Sequence, residues 1–323
     1  MQNYWFPTFF LKNCESGEKT AYLYSKQNAF AMNLLPLAIT WDVSPAIFTV
    51  FGLEIRWYAL TWTLAIVIGY RIFSKIMKRE QLTENALDYF AFSIAISLIL
   101  GSRLGHLLFY DFQNFIQNPG VFFLFRQGGF ASHGAALGIL FGLWLFARKA
   151  KLPYMWGLDR IAIAVPIGGA AIRIGNLMNS EIYGGITDLP WGFIFVRDGQ
   201  TLPMHPTQIY EALAYLVLFA VMWYLYFKKD AARKQPGLMI GVMLVWLFTA
   251  RFLIEFVKWN QVAFEESMAL NMGQLLSIPF VLAGIALIVW SVINHKRHPE
   301  LSDPVKNSWF YIKNQPKPKQ KKK

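Results

Sequence analysis

Cysteine is all but missing: Cys14 stands alone in the chain, so no internal disulfide framework can form and no cysteine-based zinc pattern exists. Charge is scarce as well, at 15% of residues, too little for the surface of an ordinary soluble domain. The apolar stretches carry no dense cluster of aspartates, which argues against a metal-dependent lipid phosphotransferase. No internal repeat suggests a transporter built by duplication. Met1 to Met32 lacks a basic segment followed by a clean apolar core and a small-residue cleavage site, so no removable signal peptide is expected, and Met32 is a second candidate start.

What is abundant is apolar sequence, 55% hydrophobic and 17% aromatic over 323 residues. Runs of bilayer-spanning length, at roughly 20 residues per crossing, fall near Tyr58 to Ile76, Ala86 to Tyr110, Gly129 to Ala147, Leu158 to Met178, Gln208 to Phe227, Gly237 to Val257 and Leu270 to Ile293. They predict an all-α polytopic membrane protein of about seven transmembrane helices. An N-terminal extension over 1–40 precedes the helical domain at 41–295. A basic tail, 296–323, polar and lysine-rich, reads as disordered.

Basic residues orient the bundle. Lys75, Lys78 and Arg79 follow the first run, Arg148, Lys149 and Lys151 the third, Lys228, Lys229, Arg233 and Lys234 the fifth, and Lys296 and Arg297 the seventh. Alternate connections hold only Arg126, Arg197 and Lys258. The positive-inside rule therefore predicts an outside N-terminus and a cytoplasmic C-terminus. This topology accounts for the net charge of +12 without a nucleic-acid partner, and leaves the tail able to touch anionic lipid.

Polar residues at membrane depth are the functional signal. In Arg173-Ile174-Gly175-Asn176-Leu177-Met178-Asn179-Ser180-Glu181-Ile182-Tyr183-Gly184, a cation, amides and a carboxylate stand where the fourth run should be leaving the bilayer. Burying such groups costs ~2.5–3.5 kcal/mol each on insertion scales. The predicted topology puts them level with Tyr58, Arg103, His106, His133, His205, Gln208, Arg251, Glu255 and Gln274. Snorkelling explains any one of these, but their shared level predicts a polar cavity open to the outer side. Arg251 and Glu255 are four apart and can form an intrahelical pair in which Glu255 simply holds the arginine; Arg103 can lock helices through carbonyls. Gly101, Gly105, Gly134, Gly138, Gly168 and Gly169 suit close helix packing, and Pro166 is expected to bend the fourth span. Two guanidiniums suit a phosphate, whereas an imidazole, ordinarily titrating near ~6.5, makes His133 a candidate to exchange a proton.

These residues resemble the prolipoprotein diacylglyceryl transferase family. The signature Gly-Arg-x-Gly-Asn-Phe-x-Asn-x-Glu-x-x-Gly is met by Arg173, Gly175, Asn176, Asn179, Glu181 and Gly184, with Ile172 and Leu177 in place of Gly and Phe. His133-Gly134, His205-Pro206-Thr207-Gln208-Ile209-Tyr210-Glu211, Arg251 to Phe256 and Gly273 to Ser277 follow in order. Ala135 and Met204 depart from a common Gly and Arg.

The resemblance implies a bacterial inner-membrane enzyme that transfers the diacylglyceryl group of phosphatidylglycerol to the lipobox cysteine in the signal peptide of a preprolipoprotein. It implies no cofactor and no metal. The nucleophile belongs to the substrate. Arg173 and Arg251 would hold the phosphate, Asn176, Glu181 and Gly184 would organise the site, His133 would take a proton, and Tyr58, Gln208 and Glu255 would line it. A transporter or receptor for an anionic ligand is the competing reading; a transporter would need polar groups in the inner half of the spans, which the sequence is expected largely to lack.

Overall fold

The computed structural model describes residues 38–124, 128–258, 268–297 and 304–314. Cys14 and the lysine-rich end at 315–323 lie outside them. Seven long helices form the body: α1 Trp57–Arg79, α2 Glu84–Tyr110, α3 Ser132–Ala150, α4 Tyr154–Met178, α5 Thr207–Phe227, α6 Leu238–Ile254 and α7 Met272–Arg297. Six are long and apolar enough to cross a membrane, α6 with its following turn included. The exception, α3, has 19 residues that open on Ser132-His133 and close on Arg148-Lys149, leaving a short apolar stretch. Against the expected seven spans, six of the described helices have clear spanning character and α3 is the shorter one.

The all-α expectation also needs amending. Strand β1, Ile39–Trp41, pairs in parallel with β4, Phe193–Phe195. Strands β2, Ala46–Val50, and β3, Leu53–Arg56, form an antiparallel hairpin. Its turn places Phe51 at φ 47 and Gly52 at φ 78, the left-handed pair that a two-residue hairpin turn favours.

Helices α2 and α3 meet almost backbone to backbone. A Cβ on Gly101 would stand 2.6 Å from the Gly134 carbonyl, and one on Gly105 2.7 Å from Gly134 Cα, the small-residue contact expected between membrane helices. Gly168 has no such neighbour, whereas Gly169 accommodates the Tyr215 ring. The α4 helix runs through Pro166 without a break.

The main apolar core lies towards one end of the bundle, around Ile76, Met77, Leu143, Phe146, Ile163, Leu218, Met222 and Met239. A buried polar network sits there too. Glu80 accepts from Arg160 Nε at 2.9 Å, Trp156 Nε1 at 2.6 Å and Tyr226 Oη at 2.6 Å. Asp159 caps the start of α6 through Gly237 N at 2.7 Å and Ile240 N at 3.1 Å. Asp159 and Arg160 open the fourth predicted span, so the impression that this half of the spans lacks polar groups is corrected. Every carboxylate oxygen in this network has a donor, which marks it as a fastening.

Residues 304–314 fold back onto the same end. Ser308 Oγ donates to the Ala150 carbonyl at 2.7 Å, Thr83 N donates to the Phe310 carbonyl at 3.0 Å, and Val305 and Phe310 enter the core. Composition alone concealed this strap, because its few apolar anchors are diluted by lysine and proline.

Candidate active site

At the other end, α4 stops in a motif that builds the site. Ser180 N donates to the Leu177 carbonyl and Glu181 N to the Asn176 carbonyl, each at 3.0 Å, the paired bonds of a Schellman ending. The left-handed position at φ 55 is held by Ser180, and Ile182 follows at φ 59. A β-branched residue is rarely found there, and such strain persists only where its surroundings over-determine it. The fixing contacts are visible: Asn176 Nδ2 and Asn179 Nδ2 donate to Glu181 Oε1 at 2.8 and 3.1 Å, and Gln208 Nε2 donates to the Glu181 carbonyl at 2.7 Å. Turning the chain back on Asn176 thus aims an exposed carboxylate beside the helix end.

One turn earlier, Arg173 points at Glu211 of α5, Nε to Oε2 2.7 Å. Glu211 is 1% exposed and also takes Lys258 Nζ on Oε1 at 2.7 Å and the Tyr215 hydroxyl on Oε2 at 3.0 Å. It is therefore a shared counter-ion for two cations contributed by different elements. In the sequence Glu211 stands within the His-Pro motif and Lys258 among the loop cations, and neither is a predicted site residue. A carboxylate one turn into a span was the signal available for it.

Glu255 does not pair with Arg251. Its nearest cation is Lys258, Oε2 to Nζ 3.6 Å, an ion pair too long for a hydrogen bond. The reason is local: α6 ends at Ile254 and Glu255–Val257 forms a 3-10 turn, whose i and i+3 residues eclipse. Gly273 permits the approach of this carboxylate, since a Cβ there would stand 2.6 Å from Glu255 Cδ. Asn271 and Gln274 cap α7 reciprocally: Gln274 N donates to Asn271 Oδ1 at 2.9 Å and Asn271 N to Gln274 Oε1 at 3.1 Å. Arg251 is half-buried, and its guanidinium has no hydrogen-bond or ion-pair partner among the described residues.

Buried polar atoms without hydrogen bonds gather here. Among the described residues they are Asn176 Oδ1, Asn179 Oδ1, Ser180 Oγ, Gln208 Oε1 and Glu255 Oε2, with only Thr83 and Ser291 elsewhere. Such groups are rare in folded proteins, so their concentration marks a place made for something polar.

The remaining candidates divide. Tyr58 packs against α4, where a Cβ on Gly175 would stand 2.5 Å from its ring. Gly184 is enclosed by Val257, Thr207 and His205, and its N donates to the His205 carbonyl at 2.8 Å. Burial pushes the His205 imidazole below its usual pKa, opposed by the Asp188 charge. Burial and Asp198 raise the Tyr183 phenol, which donates to that carboxylate. Arg103 is not in the cluster: it spends its guanidinium on the carbonyls of Val121, at 2.5 Å, and of Phe122, Gly128 and Gly129, the carbonyl lock that was one of its two readings. His133 opens α3, exposed, against Phe109 at 4.9 Å and Tyr110 at 5.8 Å between ring centres, and among the described residues no hydrogen bond or ion pair joins it to the Glu211 cluster. His106 stacks on the same tyrosine at 5.7 Å.

Residues 45–290 match the family model described as prolipoprotein diacylglyceryl transferase. A Porphyromonas gingivalis protein named phosphatidylglycerol–prolipoprotein diacylglyceryl transferase is 46% identical over 274 residues, covering 80% of this chain and 97% of its own length. Proteins of the same name from Bacteroides fragilis and Chloroherpeton thalassium are 43% and 38% identical over 266 and 255 residues, each covering 79% of this chain and 95% and 94% of their own.

Proposed function

The chain belongs to the prolipoprotein diacylglyceryl transferase family, and from that premise we propose how its residues divide the work. The protein is a multi-pass membrane transferase that moves the diacylglyceryl group of phosphatidylglycerol to a prolipoprotein, the first step of lipoprotein maturation. The acceptor is the lipobox cysteine thiol in the signal peptide. Its sulfur forms a bond to the glycerol carbon that carries the phosphate, the carbon–oxygen bond breaks, and glycerol phosphate leaves.

The observation that carries this assignment is the placement of a tethered Arg173 late in α4 and of an Arg251 unclaimed among the described residues late in α6, at the end of the bundle where orphaned amides collect. Guanidiniums match phosphate oxygens in shape, and fixed donors aimed at a departing anion stabilise the transition state more than water can. Asn176, Glu181 and Gly184 set the loop against the reacting group, Gln208 fixes that loop, Tyr58 closes one wall, and Glu255 steers Lys258. His133 takes the thiol proton; its exposed ring, without a hydrogen bond among the described residues, is open to a peptide arriving from the bilayer. The protein's own cysteine, Cys14, lies outside the family-matched region, consistent with a nucleophile supplied by the substrate.

The positive-inside pattern supports the bacterial inner membrane with an outer active site, an outside N-terminus and a cytoplasmic C-terminus. Purified protein in detergent, given phosphatidylglycerol labelled in its acyl chains and a lipobox peptide, should make a thioether-linked lipopeptide. Failure to transfer label to the peptide, with lipid still bound, would return the reading to a carrier or receptor of anionic ligands.

A further inference from the structure

At the end of the bundle opposite Arg173, an open cavity of about 340 Å³ lies against the turn between α3 and α4. Trp144, Arg148, Lys151 and Tyr154 line it, with Ala147 and Leu152 beneath. We propose that this groove binds an anionic phospholipid, separately from the lipid consumed in the reaction.

Three observations carry the assignment. First, the two cations converge from different backbone settings. Arg148 leaves the last turn of α3 and lies over the Trp144 ring at 5.1 Å, whereas Lys151 follows the helix as its cap. Second, Lys151 holds the left-handed conformation, φ 54 and ψ 41. That position favours glycine, so a lysine there keeps a charge at the cost of backbone strain. Third, the groove continues into an apolar stripe. Leu137, Phe141 and Trp144 are 62%, 55% and 43% exposed and recur at helical spacing on the face that leads to Arg148. Phe141 and Trp144 stack at 5.6 Å. Phosphate between two cations, with an acyl chain along this stripe, meets both the polar and the apolar part of the surface. A soluble phosphate would use only the first. Basic pockets between helix ends on the cytoplasmic side suit anionic head groups, and the proposed orientation puts this groove on that side. Tyr154 is fixed in the lining, its hydroxyl donating to the Leu140 carbonyl at 2.9 Å.

The test uses full-length protein released from dodecylmaltoside micelles into a native mass spectrometer. The probe is dioleoylphosphatidylserine, an anionic lipid without the substrate's glycerol head group, against dioleoylphosphatidylcholine. Wild type should retain one phosphatidylserine with roughly tenfold or greater preference, as expected for two interfacial cations. Arg148→Gln with Lys151→Gln should lower that preference to the neutral-lipid level, and Arg173→Ala should leave it unchanged. Lys151→Gly is the control for folding: it should raise the melting temperature and still weaken lipid retention. The inference fails if the double variant keeps the wild-type preference, if Arg173→Ala rather than the double variant loses the adduct, or if glycerol phosphate displaces the lipid at equal concentration.

Discussion

Replacing Glu211 by Gln preserves the size of a side chain that is 1% exposed while deleting the charge shared by Arg173 and Lys258. Breaking a buried ion pair by neutralising one partner costs about 3–5 kcal/mol, because the other charge stays behind uncompensated. The low end applies. Lys258, 7% exposed, keeps Glu255 at 3.6 Å, so the stranded cation is chiefly Arg173, which is 16% exposed. About 3 kcal/mol shifts the unfolding equilibrium ~10²-fold. Unfolding in mixed dodecylmaltoside and dodecyl sulfate micelles should register that change, and lipopeptide formation should fall with it as Arg173 loses its tether.

Adding Arg173→Gln to Glu211→Gln separates the two effects. The double variant no longer strands that cation, while Lys258 keeps Glu255, so it should recover most of the lost stability, giving a coupling within the ~0.5–3 kcal/mol range of contacting pairs. It should not recover transfer, because the guanidinium itself is gone. If Glu211→Gln unfolds within about 0.5 kcal/mol of wild type and transfers normally, the shared counter-ion has no role and the site must be rebuilt around Arg251 alone.

Arg173→Ala and Arg251→Ala should each lower transfer by ~10²–10³-fold, the loss typical of one transition-state donor, with Lys a poor replacement because it lacks the planar fork; near-normal rates in an inserted variant would remove that arginine from the site. Gly184→Ala should abolish activity or folding, since its Cβ would collide with Val257, Thr207 and His205, and a wild-type rate would show that the loop gives way. His133→Gln should depress transfer more than lipid binding and steepen the rise of rate with pH, as the substrate thiol, ordinarily near ~8.5, ionises unaided; single-turnover profiles of equal shape would end its role as base. In a Cys14→Ser background, an impermeant thiol reagent on intact cells should label single cysteines placed between Asn179 and Met204 but not those between Ser74 and Leu82; the reverse pattern would invert the bundle.

Much of the fold was legible because a membrane span advertises itself by length. Tyr58 to Ile76 and Ala86 to Tyr110 fall within α1 and α2, since nothing but a helix satisfies the backbone of a long apolar run in lipid. The β2–β3 hairpin was not read, although Phe51-Gly52 between β-branched and aromatic residues is a turn signal; it is shorter than the window that finds spans. The loop from Asn176 to Gly184 was legible as a site from its mismatch with membrane depth. Its conformation was not, because the left-handed Ser180 and Ile182 are imposed by contacts with Gln208 and the two asparagines.

The partners of the charges were the illegible part. Spacing within a helix proposed Arg251 with Glu255, yet the change to a 3-10 turn at Glu255 rotates the carboxylate towards Lys258. Glu211 meets Arg173 and Lys258 across 38 and 47 residues of sequence, a separation no periodicity reports. Depth alone also flags too much. Glu80, Asp159 and Arg160 are as buried as Glu211, and a rule that reads every intramembrane charge as functional treats the two ends of the bundle alike. Hydrogen-bond satisfaction tells them apart. At the Glu80 end each carboxylate oxygen has a donor and the network can only hold helices together. At the Arg173 end, amide oxygens of Asn176, Asn179 and Gln208 stand unclaimed among the described residues, and because unpaired buried polarity is costly, that end is where we propose that a polar substrate completes the protein.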